Sequence, residues 1–149
     1  MLANIRFLRA CLRAGVPAIM ENPATSKCWY LPELEEIAAS HQANTLVIDQ
    51  CMYGQPWRKR TKLLCLNFDA QDLCIVERRC AGQHGLCSRT GLKHHILSGG
   101  MHATRAAAFP KQLCKALARL LTNPARMAYA DTQSAMLCRV PRREHKSGS

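Results

Sequence analysis

Val16-Pro17-Ala18-Ile19-Met20-Glu21-Asn22-Pro23 decides how this chain is read, because the apolar run Val16 to Met20 stops abruptly at a polar Glu-Asn-Pro step. A run of that length predicts a buried strand, and the polar step predicts a loop at its C-terminal end. In open α/β sheets that edge is where sites form. Toward the N-terminus, Leu2, Ile5, Leu8, Cys11 and Leu12 recur at helical spacing, and Gly15 stands where a left-handed residue ends a helix. Toward the C-terminus, Thr25 and Ser26 suit a capped turn and Pro32 a first helical turn, while Leu34, Ile37 and Ala38 form one apolar face of a second helix. Thr45 to Ile48 reads as a strand, Leu63 to Leu66 as another and Leu73 to Val76 as a further edge strand. Pro110 to Leu121 closes the pattern as an amphipathic helix on Leu113, Cys114, Leu117, Leu120 and Leu121.

This alternation predicts an α/β fold, a partial Rossmann-like sheet with flanking helices. The 149 residues are enough for one core, which places one domain over 1–122, an irregular Cys/His-rich insertion over about 77–106, and a basic, flexible tail over 123–149. A glycine-rich turn after an opening strand is missing: neither G-x-G-x-x-G nor a phosphate-loop pattern occurs. The cofactor-binding half of such a sheet is therefore absent or supplied by a second polypeptide.

A formal charge of +11 favours anionic partners, with nucleic acid ahead of a membrane surface. Nine cysteines are an odd number in a chain too long and helix-rich for a disulfide scaffold, so a reducing, intracellular compartment, nuclear or cytoplasmic, is expected. Leu2 to Leu12 is broken by Arg6 and Arg9, which excludes a signal peptide's uninterrupted apolar region and is far too short to span a bilayer. An amphipathic organellar presequence stays open, since the first fifteen residues are basic and free of acidic side chains.

Three ordered pieces resemble one family. Ile19-Met20-Glu21-Asn22-Pro23, then Tyr53-Gly54-Gln55-Pro56 followed by Arg58-Lys59-Arg60, then Ala107-Ala108-Phe109-Pro110-Lys111-Gln112-Leu113, resemble the second half of the DNA cytosine-5 methyltransferases. The resemblance covers roughly residues 15–67 and 104–121. It implies that Glu21 is the carboxyl that stabilises charge on a target cytosine, that Asn22 holds its loop, and that Arg58 and Arg60 complete the catalytic set. It also implies a nucleic-acid surface of Tyr53, Trp57, Arg58, Lys59 and Arg60, with DNA favoured over RNA and S-adenosylmethionine as the intact family's cofactor. Pro23 replaces the family's valine, Trp57 stands at its glutamine, and the Pro-Cys nucleophile loop and Phe-x-Gly-x-Gly cofactor loop are missing. The resemblance thus implies a nucleotide-side half, a fragment or degenerate form, that is inactive alone and does not bind the cofactor tightly. Cys28 and Cys51, the cysteines nearest that region, read as small buried core residues.

Beyond the strands the character of the chain changes. Cys80, His84, Cys87, His94, His95 and His102 crowd among glycines and basic residues. Cys80-x3-His84-x2-Cys87 followed by His94 or His95 has spacings a tetrahedral zinc site can use, and Cys80, His84, Cys87 and His95 are the expected ligand set. The other reading is a basic loop in which Arg78, Arg79, Arg89, Lys93 and Arg105 track a phosphate backbone and the His and Cys are incidental. The functional alternatives are the methyltransferase-like half, a non-enzymatic nucleic-acid-binding module stabilised by zinc, and a truncated reading frame.

Overall fold

The computed structural model describes residues 2–98, 104 and 106–122. The tail at 123–149, with Arg142, Arg143 and Lys146, lies outside the described residues, as do His102 and Arg105.

Helix α1, Leu2–Ala14, buries Ile5, Leu8 and Cys11, one face at three-residue spacing. It ends at Gly15, whose φ of 66° lets the Gly15 amide reach Leu12 O and the Val16 amide reach Cys11 O at 3.0 Å. This paired closure is the left-handed cap that the glycine predicted. Strand β1, Ala18–Pro23, starts two residues later than the apolar run and continues through the polar step. Glu21-Asn22-Pro23 is therefore strand rather than loop, since all three residues pair with Leu63, Lys62 and Thr61 of β3. A 3-10 turn, Lys27–Tyr30, capped by the Ser26 hydroxyl on the Cys28 amide, leads to α2, Pro32–Ala38, with proline in its first turn. Strand β2, Ala43–Asp49, a 3-10 turn at Gln50–Tyr53, and strand β3, Arg60–Leu66, follow.

The sheet order is β1-β3-β2, and both neighbouring pairs are antiparallel. β1 and β2 thus run in the same direction, joined over one face by α2, with β3 inserted between them in reverse. The fold is mixed helix and strand, compatible with α/β, but the Rossmann-like sheet is not found. The reason is chain length: only ten residues, 50–59, separate β2 from β3, fewer than the dozen or more that a crossover to a parallel neighbour requires. Leu73 to Val76 is not an edge strand either, because Leu73 ends the short helix α3, Ala70–Leu73, and a turn follows it.

Apolar side chains cover both faces of the sheet. On one, Ala18, Met20, Leu64 and Leu66 pack against Ile5 and Leu8 of α1, Leu34 and Ile37 of α2, and Trp29. On the other, Ile48, Leu63 and Cys65 pack against Tyr53, Phe68, Val76 and the last helix, α4, Lys111–Leu121, through Leu113 and Leu120. The continuous run Leu63-Leu64-Cys65-Leu66 is almost wholly buried because β3 is central and feeds both cores.

Candidate metal centre

The Cys51, Cys80 and Cys87 thiols and one imidazole nitrogen of His94 lie within 4.8 Å of one another, and the three cysteines are buried. Four ligands so grouped could hold a metal ion. Cys51 comes from the 3-10 turn beyond β2, where the Gly54 amide and the Arg89 guanidinium both donate to its carbonyl, at 3.2 and 2.7 Å. The other three come from the loop at 77–98. There the Cys87 carbonyl accepts from Gly91 at 2.8 Å, and the Cys87 amide donates to Leu92 O at 2.8 Å. Gly91 takes a φ of 71° to make this tight return, Leu86 bridges to Lys93, and the His94 amide donates to Gly85 O at 2.9 Å. Backbone bonds alone thus turn His94 back over the cysteines.

The cysteine environments differ. Burial pushes the Cys51 thiol up to about 12, with further contributions from hydrogen bonds and charge at Cys80 and Cys87. Burial acts the same way on Cys80, but the Ser88 hydroxyl and amide, the Gly82 amide and the Cys51 thiol all donate to its sulfur and bring it down to about 6. Cys87 is also lowered: burial is outweighed by the Arg89 and Thr90 amides and the Thr90 hydroxyl. Two sulfurs are therefore cradled by N–H and O–H donors, the surroundings that favour a metal-binding thiolate. Gly82 is indispensable to the cradle, since a Cβ there would overlap the Leu86 carbonyl oxygen.

Of the expected ligand set, the structure brings two of the four residues together with Cys51 and His94. Cys80 and Cys87 belong to the cluster, whereas His84 and His95 are exposed and do not. His84 sits at a turn with φ of 52° beside Gly85. The His95 amide is held by Pro56 O at 2.9 Å, and successive residues of an extended segment point to opposite sides, so of His94 and His95 only one can face the thiols. Cys51 was legible only as a core cysteine, because its partners lie 29 or more residues away in the chain. The single local hint is Gly54, three residues on.

Close beside the cluster stands Asp49, fully buried. Its carboxylate accepts from the Cys80 amide at 2.9 Å, from Arg58 at 3.4 Å and from Arg60 at 3.3 Å, and lies 4.0 Å from Arg79. Arg58 also donates to the Cys80 carbonyl at 2.6 Å, so residue 80 is gripped at both backbone ends by this group. The five residues expected at a nucleic-acid surface are thereby divided. Tyr53 is buried with its hydroxyl on Val76 O, and Trp57 is buried with its indole N–H on Gln50 Oε1 at 3.3 Å. Lys59 donates to Ala106 O at 3.0 Å. Arg60, with Arg79, keeps about half of its side chain in solvent.

Glu21 and Asn22 are half-buried and line a shallow cleft of about 250 Å³ between α1 and the β1 edge, with Phe7 and Ile19. Glu21 stands opposite Leu63 on the β1 side of β3, whereas the Arg58 and Arg60 guanidinia pair with Asp49 on the β2 side. Burial raises the Glu21 carboxyl above its ordinary value, and Lys59 only partly opposes this. A raised folded pKa means that ionising Glu21 destabilises the fold. Glu21→Gln is therefore expected to be neutral near pH 4 and stabilising above the raised pKa, as read by thermal denaturation across pH; an unchanged difference at all pH values would refute the assignment.

No helix of the described residues is long and apolar enough to cross a membrane, and the eight described cysteines are all free. No known protein family, curated protein or solved structure matches this chain.

Proposed function

We propose that this chain is a zinc-stabilised, non-enzymatic nucleic-acid-binding module, in which the metal centre holds in place the arginines that meet phosphate. The observation that carries this reading is the buried Cys51–Cys80–Cys87–His94 cluster and its bond through Cys80 to Asp49. Three thiolates and an imidazole are a zinc donor set, softer than calcium or magnesium sites use. Tetrahedral zinc with bonds of about 2.3 Å sets sulfurs roughly 3.8 Å apart. Occupancy of a cluster spanning 4.8 Å thus calls for a contraction of about 1 Å at most. One carboxylate facing three guanidinia leaves an excess of positive charge, and the three arginine side chains are between a third and a half exposed. Planar guanidinia suit phosphate oxygens, and the +11 charge of the chain favours the same partner.

The second reading is the cytosine-5 methyltransferase-like half, with the S-adenosylmethionine side supplied by another polypeptide. One observation favours it: Glu21 is half-buried with a raised pKa, as a proton-sharing carboxyl in a nucleotide pocket would be. The engagement of Arg58 and Arg60 by Asp49 speaks for the first reading.

Fluorescence anisotropy with labelled DNA separates the two. Affinity is expected to fall steeply between roughly 50 and 200 mM salt, and Arg60→Ala with Arg79→Ala to lower the log–log salt slope by about 1–2. The chain is expected to transfer no methyl group from S-adenosylmethionine to DNA. Salt-independent binding would sink the module reading, and turnover above a Glu21→Ala control would establish the methyltransferase one.

A further inference from the structure

On the sheet face that carries α2 lies a cleft of about 500 Å³ that neither the metal centre nor the arginine group uses. Its walls are Trp29 and Tyr30 from the 3-10 turn, Glu35 and Ala38 from α2, and Thr45 and Lys62 from the sheet. Beyond Leu34, the helix and its C-cap line this side with the exposed Glu35 and with Ala38 and Ala39, whose small side chains leave space above β2 and β3. The volume falls in the roughly 300–1,000 Å³ range of clefts that take small ligands.

The chemistry of the walls narrows the ligand. Tyr30 is 74% exposed, an aromatic ring held at the mouth with no core to enter. Trp29 is a buried wall; its indole N–H is spent on Pro23 O at 2.9 Å, so it offers no free donor. Lys62 Nζ stands 4.8 Å from the centre of that ring, which places a cation at the edge of an aromatic cleft. Two residues along β3 on the same face is Arg60, about 7 Å away by strand geometry. Across from Lys62 is Val47, whose carbonyl accepts from Arg79 at 3.5 Å. Lys62, Arg60 and Arg79 thus form a cationic row beside the aromatic cleft. Glu35, exposed at the rim, bars phosphate from the cleft itself and offers an acceptor inside it.

We infer that the Trp29–Tyr30–Lys62 cleft receives one unstacked base of a single-stranded nucleic acid, with the flanking phosphates on Lys62, Arg60 and Arg79. The ring stacks on Tyr30, and Glu35 accepts from an exocyclic amine, which cytosine, adenine and guanine carry and thymine lacks. This deepens the nucleic-acid reading above and rests on it. Stacking of this kind tolerates many sequences, and duplex DNA, whose bases are already stacked, cannot use it.

The test is anisotropy of the full, zinc-loaded chain with labelled dC, dA and dT 12-mers and a 12-base-pair duplex at one salt concentration. Tyr30→Ala is expected to weaken dC and dA binding about tenfold and to leave duplex binding unchanged; Tyr30 is exposed, so the fold is not at stake. Glu35→Ala, which removes the acceptor at an exposed position, is expected to abolish the preference for dC over dT. Equal loss for duplex and single strand, or no loss with Tyr30→Ala, overturns the cleft and leaves the charge-based module standing. Absence of binding to all four probes overturns both.

Discussion

With zinc in the cluster as proposed, Cys51→Ser will lose the metal and much of its thermal stability, whereas His84→Ala and His95→Ala will keep both. Structural zinc contributes an apparent binding free energy of about 10–16 kcal/mol in domains that fold only with metal. This chain has two hydrophobic cores of its own, so the sheet persists and the loss falls on the loop at 77–98, which has few apolar anchors besides Cys80 and Cys87. A melting temperature lower by on the order of 10 °C and a zinc content well below one per chain are the expected readings for Cys51→Ser, by calorimetry and elemental analysis. The chelated wild type should fall to the same melting temperature. Acid acts in the same direction: zinc competes with protons for the thiolates, so metal-linked stability is lost as pH falls and the thiolates are reprotonated. Full zinc retention by Cys51→Ser, or its loss from His84→Ala, would refute the ligand set.

Asp49→Asn is the other substitution with a large effect. The carboxylate is fully buried and serves the Cys80 amide and three guanidinia, so removing its charge leaves an amide and a positive cluster undercompensated. Breaking a buried ion pair costs about 3–5 kcal/mol. Here the arginines are between a third and a half exposed and water screens them, so about 2–3 kcal/mol is expected. Burial alone would raise the Asp49 carboxyl, but the Cys80 amide, Arg58 and Arg60 outweigh it and hold the pKa below its ordinary value. A lowered folded pKa contributes stability that is complete above the unfolded value and is lost as pH falls through the folded one. Urea denaturation of wild type and Asp49→Asn should therefore differ fully near pH 7, begin to converge below about pH 4, and coincide only below the lowered folded pKa. Metal loss in acid affects both chains alike and leaves the comparison intact. Equal stability at pH 7 would show that Asp49 does not organise the arginines.

These two residues also mark where sequence reading stopped. Local order was legible wherever its cause was local. The three-residue spacing of Ile5, Leu8 and Cys11, the left-handed cap at Gly15, proline at the start of α2 and the apolar run Leu63 to Leu66 each express a preference of a few neighbouring residues, and each element formed. Cys80 and Cys87 were recognisable as a pair because their spacing is short. Strand direction and ligand choice were not local. A polar step such as Glu21-Asn22-Pro23 ends a hydrophobic pattern, but pairing with β3 carries the strand through it, since ladder bonds do not require apolar side chains. That β3 returns between β1 and β2 depends on where the ten-residue connection can reach. Arg58 and Tyr53 looked like contacts for a ligand because exposure is a property of the fold: in place, one grips Asp49 and the other Val76. The sequence by itself determined helices α1, α2 and α4, the approximate positions of the three strands, the charge and a pair of thiols, but not the short helix α3 where an edge strand was expected. Only the tertiary structure decided that Cys51 joins them and that His94, rather than His84 or His95, lies beside the thiols, because such a cluster is made by atoms that converge in space across a separation no spacing rule encodes.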